Sequence, residues 1–421
     1  MTDFVPFDRF PWVLIDFDDY DNILILGHFL RCCQDGRSWA LRPTLAEPTM
    51  LPALPPEIFD LIIDHLHNEP ITLKACCLVS KSWVPRSRNY IFARVDLSPG
   101  SLKSWTKTFP NLSNSPAHHT RNLHVRNLGV LSADICAWIC SFRHVQELSV
   151  TNFGWGEPRG FSYLSLHGLS PTLKSLHLST SIVTTISEIV RLICSFPLLE
   201  DLSLHSIRES ETDAWIAPPT SPRLTGSLRL KGKNHSITRR LLELPDGLHF
   251  SKIRVRGRVE EVDPGMITDI VSKCSGTLET LYLKYHPSGA TPLVSTVYQS
   301  LTLHPAASRM PSPLNLSNAM KLKYLNLRWG TLNVRWITVT IQTARSKILR
   351  RITIFLRNIL LAPTEATLRE WHELDHLLVQ LWTSRSIISK ILYKNTLEGL
   401  IPRLLPELTR KGFTRDQGQD G

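Results

Sequence analysis

The chain has 421 residues, is 42% hydrophobic and 20% charged, and carries a formal net charge of +11 at pH 7. That length suits two to three average domains, or one small domain and a repeat array, and the hydrophobic content excludes a chain disordered throughout. The apolar run at 23–30 falls far short of the ~20 residues that span a bilayer and follows no basic start, so a soluble protein with no membrane partner is expected.

Taken from the N-terminus, residues 1–48 stand apart. They mix aromatic side chains with Asp16, Asp18, Asp19 and Asp21. A calcium loop would need a ligand where Tyr20 stands and a glycine that is missing, so the segment reads as a poorly ordered leader. From Leu54 the texture changes. Leu54-Pro55-Pro56-Glu57-Ile58 opens a helix, because proline lacks only an N–H that the first turn leaves unpaired anyway. Ile58, Leu61, Ile62 and Leu66 recur at helical spacing. Asn68-Glu69-Pro70 breaks that helix, and Leu73, Cys76, Cys77 and Val79 form a second stripe running into Trp83. Pro85 is expected to end that element, and Tyr90, Ile91 and Phe92 supply a third apolar patch. Three short helices make a marginal core and are expected to lean on a partner.

This stretch, 54–97, resembles an F-box, especially those of mushroom-forming fungi. The likeness rests on Leu54-Pro55 with Glu57-Ile58, the Ile62/Leu66 stripe, Leu78-Val79-Ser80, Trp83 and Ile91-Phe92. It covers roughly a tenth of the chain. The resemblance implies docking to a Skp-type adaptor and, through it, to a cullin in a ubiquitin ligase. It carries over Leu54, Pro55, Ile58, Ile62, Leu66, Val79 and Trp83 as adaptor-side residues, some of which must instead hold the module's own core.

Beyond residue 98, L-x-L cores recur at Leu123/Val125, Leu148/Val150, Leu164/Leu166, Leu176/Leu178, Leu202/Leu204, Leu228/Leu230, Ile253/Val255, Leu281/Leu283, Leu325/Leu327 and Ile352/Ile354. Several are 25 to 28 residues apart, with helix-like stretches at 132–142, 185–196, 264–274 and 334–344 between them. A strand plus a helix at that period resembles a degenerate leucine-rich repeat, with an ordinary α/β domain as the alternative. The gap from Leu281 to Leu325 holds a Pro/Ser-rich insertion at 305–313, and 364–410 reads as two capping helices. The expected fold class is α/β overall, a small all-α F-box followed by an α/β leucine-rich-repeat-like solenoid. Its divisions are a leader (1–48), the F-box (49–97), the repeat domain (98–363), and a helical cap with a disordered tail (364–421).

Chemistry is sparse. There is no Gly-rich phosphate loop, no G-x-S-x-G and no HExxH, and His118-His119 is an isolated doublet. The eight cysteines (32, 33, 76, 77, 136, 140, 194 and 274) form no CxxC pair. They read as core thiols in a reducing compartment, cytoplasm or nucleus. Neither an enzyme nor a cofactor is expected.

The informative positions lie between the repeat leucines, because alternate strand residues face opposite ways. The first half of the array would present Ser, Thr and His there. The second would gather Arg229, Lys231, Arg254, Arg256, Tyr282, Lys284 and Arg328 on adjoining strands as a candidate substrate-binding surface. A protein substrate that is phosphorylated or acidic is the preferred partner. Nucleic acid ranks last, because only Tyr282 could stack a base. The expected function is a substrate receptor in a Skp-cullin-F-box ligase. The alternatives are a ligase-independent scaffold and a nucleic-acid-binding repeat protein.

Overall fold

A computed structural model describes residues 55–111, 115–127, 138–151, 154–155, 171–179, 182–183, 186–209, 222–258, 261, 263–286, 313–329, 334–356, 365–385, 387–393 and 400–411. The leader, Leu54, the Leu164/Leu166 pair and Cys136 lie outside them. The chain divides into two compact units, Met1–His119 and Thr120–Gly421.

The first unit contains α1 (Pro56–His65), α2 (Pro70–Val79), a 3-10 turn (Lys81–Trp83), α3 (Val84–Ile91), β1 (Arg94–Leu97), α4 (Pro99–Thr108) and a second 3-10 turn (Pro116–His119). It therefore continues past Leu97. Among the described residues, each of these four helices has a proline in its first turn, where a missing N–H and a fixed φ cost nothing. Pro85 accordingly opens α3; the expectation that it closes the preceding element is corrected. The chain instead leaves α2 at Val79, where extended Ser80 caps the 3-10 turn by accepting from the Ser82 N–H. Ser98 and Ser101 form a reciprocal capping box on α4.

An ion pair ties α1 to α3. Arg86 donates from Nε and Nη2 to the two carboxylate oxygens of Asp64, at 2.7 and 2.6 Å, and the Tyr90 hydroxyl donates to Oδ1 at 2.8 Å. These bonds, Arg86 first and Tyr90 second, hold the Asp64 carboxyl down at about 2 against an ordinary 3.8. The stabilisation is present above pH 3.8 and is lost as the pH falls through about 2.

The second unit is α/β and is dominated by a large parallel sheet. Its strands are β2 (Asn122–Arg126), β3 (Glu147–Thr151), β5 (Ser175–Ser179), β7 (Asp201–His205), β9 (Leu224–Lys231), β10 (Leu248–Arg258), β11 (Thr280–His286), β12 (Tyr324–Trp329), β13 (Arg351–Leu356) and β14 (Ile388–Tyr393). They lie in that order and pair parallel throughout. The short strands β4 (Gly154–Trp155), β6 (Ile182–Val183) and β8 (Arg208–Glu209) form a second parallel sheet. Helices α5 (Ile186–Cys194), α6 (His235–Leu242), α7 (Pro264–Lys273), α8 (Val334–Thr343) and α9 (Glu365–Arg385) fall between strands. The short α10 (Ile401–Leu404) and α11 (Pro406–Arg410) follow β14.

The register explains the leucines. Leu123, Leu148, Leu176, Leu202, Leu228, Ile253, Leu281, Leu325 and Ile352 are successive partners across the sheet. All are at most 1% exposed, so one row of apolar side chains runs through the core beneath the strands. The helices pack on one another in the sequences α5–α6–α7 and α8–α9, and bury Ile189, Ile237, Ile267 and Ile337 completely. β3 pairs directly with β5. β14 corrects the expectation of helix alone across 364–410. Its Ser389 stands where the neighbouring strand has Ile352, so the L-x-L signature is broken there although Ile391 still pairs with Ile354.

Asn234, 2% exposed, joins two turns that follow strands. Its Nδ2 donates to the carbonyls of Leu204, Lys231 and Gly232 at 3.3, 2.9 and 3.2 Å, and its Oδ1 accepts from the Ile207 N–H at 3.1 Å. Residues at equivalent positions just past β2, β7 and β9, namely Asn127, Ser206 and Gly232, have φ between 52° and 72°. Each donates its N–H to the last or near-last carbonyl of the next strand: Thr151, Lys231 and Arg256. One bend is thus repeated along this edge.

Candidate docking surfaces

Two surfaces emerge, one in each unit. In the first unit, α1 has apolar residues on two sides. Phe59, Ile63 and Leu66 form its inner side: Ile63 is fully buried, and Leu73 and Cys76 of α2 are buried as well. Ile58 (40% exposed), Leu61 (55%) and Ile62 (42%) point outward. Leu78 (53%) and Val79 (67%) do the same at the end of α2. Both helices touch the turn bearing Trp83, whose half-buried ring lies 5.2 Å from that of Phe59. Of the sequence-predicted residues, Pro55, Ile58, Ile62 and Val79 are therefore exposed, while Leu66 and Trp83 are half-buried. Leu61 and Leu78 belong to the same outward set. Large aliphatic side chains held in water cost free energy that a partner's surface would recover, at about 25 cal/mol per Å² covered.

In the second unit, the side chains between the buried leucines line the opposite face of the sheet. Lys231, Arg256, Lys284 and Arg328 are consecutive partners on β9, β10, β11 and β12. One row behind them, Arg229 pairs with Arg254, followed by Tyr282 and Asn326. The register brings all seven predicted residues onto adjoining strands. Lys252 and Arg258 add to the same alternation on β10. Arg229, Lys231, Arg254 and Arg256 are exposed, whereas Tyr282, Lys284 and Arg328 are half-buried.

Neighbouring strands stand ~4.8 Å apart, so adjacent like charges repel by on the order of 1 kcal/mol in a water-like medium. No Asp or Glu occupies the outward positions of β9–β12 among these rows. Ion pairs described in this unit lie elsewhere, Lys323 with Glu279 at 2.8 Å and Arg240 with Glu243 at 3.4 Å. Arg328 is stacked over Phe355, 4.9 Å from the ring centre, which holds the last cation of the row in place.

Two histidines report the field of this face. His205 sits beside Lys231 in the register, and its Nδ1 is 2.9 Å from the Ser179 hydroxyl. Burial, then Lys231, His177 and Arg256, push its pKa below the ordinary value, with Glu261 opposing. His177 is lowered by burial, then by Arg229, His124 and Lys231, with Glu147 opposing. The folded state thus binds these protons less readily than the unfolded chain. Their contribution to stability is present above the unfolded value of 6.5 and declines as the pH falls through the lower folded values. Arg256→Glu is expected to raise the His205 pKa while leaving Leu204 and Val255 packed; titration by NMR of the imidazole signals measures it. An unchanged His205 would mean that Arg256 does not act on it.

Catalytic groupings are not seen among the described residues. No three His, Cys, Asp or Glu side chains gather as for a metal, and no helix is long and apolar enough to cross a membrane. Cys194 and Cys274 are pushed up to about 12 by burial, which keeps them as neutral thiols. In comparisons with known proteins, no family model matches the chain and no curated protein matches it.

Proposed function

We propose that the chain is the substrate receptor of a Skp-cullin-F-box type ubiquitin ligase, in which the first unit serves as an F-box and the second as a leucine-rich-repeat-like solenoid holding a protein substrate. The observation that carries this reading is the outward display of Ile58, Leu61, Ile62, Leu78 and Val79 on helices whose own core is already closed by Ile63, Leu73 and Cys76. Such a face suits the apolar surface of a Skp-type adaptor. The solenoid reading is supported by strands that follow sequence order in a parallel register and by an asparagine, Asn234, that joins consecutive turns. In this role the protein does no bond chemistry. It raises the concentration of its cargo beside a ligase that other subunits complete.

The test is affinity capture of the full chain, with mass spectrometry, against a deletion of residues 54–97. Adaptor and cullin should vanish together in the deletion while cargo bound to the second unit remains. Recovery of adaptor without cullin from the full chain would point to a ligase-independent scaffold. Recovery of neither would sink both readings.

A further inference from the structure

The net charge is not spread evenly along the chain. Residues 280–364 hold eleven Lys and Arg and no Asp or Glu, so this stretch alone equals the net charge of +11 and the remainder balances. Part of the surplus gathers on the rim where the chain enters β12, β13 and β14. Lys321, Arg345, Lys347, Arg350 and Arg351 are all exposed there, and among the described residues none has an acidic partner. Their neighbour Lys323 differs, being held by Glu279 at 2.8 Å. Exposed aliphatic side chains stand among these cations: Met320 (53%), Ile348 (44%) and Ile388 (54%).

Hydrogen bonds join the rim into one surface of the second unit. The Ser346 hydroxyl donates to the Met320 carbonyl at 2.9 Å and accepts from the Ile348 N–H at 3.4 Å, which ties the turn before β12 to the turn before β13. The Arg350 N–H donates to the Lys323 carbonyl at 2.9 Å, and the Ile388 N–H to the Arg350 carbonyl at 3.0 Å. Ile388 is then the register partner of Arg351. Both turns are anchored by buried residues, Ala319 and Leu322 in one and Ala344 and Leu349 in the other, which leaves Met320 and Ile348 outside the core. The last turn of α9, which leads into β14, adds Arg385 and Trp382.

We propose that this rim is a peripheral membrane-docking surface that seats on a bilayer rich in anionic lipid. The Lys and Arg side chains would lie against the headgroups, while Met320, Ile348 and Ile388 enter the boundary between headgroups and acyl chains. A nucleic acid would answer the cations but gives aliphatic side chains no apolar phase and no ring to stack on. An acidic peptide segment would likewise leave them in water. A lipid surface supplies both charge and an apolar phase. Hydropathy speaks only against a spanning segment; a face that lies on a bilayer leaves no such mark. The proposal is independent of the receptor reading and adds to it a place of action, an anionic membrane.

The test is co-sedimentation of the full chain with large vesicles of phosphatidylcholine, alone or with about 30% phosphatidylserine. Binding is expected only with phosphatidylserine and should fall as salt rises. K321Q/K347Q/R350Q should lose at least ~30-fold in partitioning. R94Q/K103Q/K107Q removes the same charge from exposed sites of the first unit and should bind as the wild type does. M320S/I348S, which keeps every cation, should lose at least ~10-fold. Unchanged circular dichroism in each variant separates these losses from misfolding. The proposal is overturned if neither vesicle binds, if the two charge triples lose equally, or if M320S/I348S partitions as the wild type does. It is also overturned if polyglutamate or oligouridine strips the protein from vesicles at a lower concentration of charge than competing phosphatidylserine vesicles, which would assign the rim to a polyanion in solution. Adaptor capture by the same variants reads the receptor proposal separately.

Discussion

Ile62→Asp and Val79→Asp are each expected to reduce capture of a Skp-type adaptor at least ~100-fold, equivalent to about 2.7 kcal/mol of binding, while leaving the melting temperature within about 2 °C of wild type. The direction follows from exposure. Ile62 is 42% exposed and Val79 is 67% exposed, so in the free protein an aspartate at either site remains in water and disturbs little. Covered by an apolar partner, the same carboxylate would be buried without a counter-charge, which costs several kcal/mol. Ile63→Ala makes the opposite pattern one residue away. Ile63 is fully buried, so truncation should cost roughly 2–4 kcal/mol of folding stability and affect adaptor binding only as the unit unfolds. Surface plasmon resonance for binding and differential scanning calorimetry for stability separate the two. Wild-type affinity in both aspartate variants would show that this face is not where an adaptor docks. Trp83→Ala mixes the effects, since the ring is half-buried against Phe59, and is a poorer test.

The contrast between Ile62 and Ile63 also marks the limit of what the sequence reveals. In α1 both Ile58/Leu61/Ile62 and Phe59/Ile63/Leu66 are apolar sets at helical spacing, so periodicity announces a helix and leaves the inward side undecided. The sheet is a different matter. L-x-L cores at a period near 26 residues bury their leucines when successive strands align in parallel, and the register from Leu123 to Ile352 is such an alignment. The rows of cations follow at once, because strand alternation sends the intervening residues to the other face. β14 escapes this logic because Ser389 interrupts the pattern, and Ile388, at 54% exposure, supplies hydrophobicity on the wrong face. Asn234 escapes it because one asparagine after a Gly-Lys pair looks like any turn; its role appears only when the carbonyls of two strands converge on it. Pro85 was ambiguous in principle, since proline both stops and starts helices, and the extended Ser80 shows that the stop had already occurred.

The basic rows depend in turn on one glycine upstream of them. Gly226 lies within β9 at φ +80°, a backbone region that side chains disfavour, and a Cβ there would collide with the backbone carbonyl oxygen of Glu200. That carbonyl already accepts the Ser227 N–H at 2.7 Å, and the Gly226 carbonyl accepts the Ser251 hydroxyl at 3.0 Å. Ser251 is the extra residue of a bulge, where the β10 register slips between Phe250 and Lys252. The strand cannot move away from Glu200 without disturbing its pairing on both sides. Gly226→Ala is therefore expected to destabilise the second unit by roughly 4 kcal/mol and lower its melting temperature by about 10 °C. Gly247→Ala is the control: its φ is +69°, but nothing lies within 4 Å of the added carbon, so only the conformational cost of about 1–2 kcal/mol applies. Thermal unfolding by circular dichroism compares them, and equal losses would show that the approach to Glu200 is not a constraint.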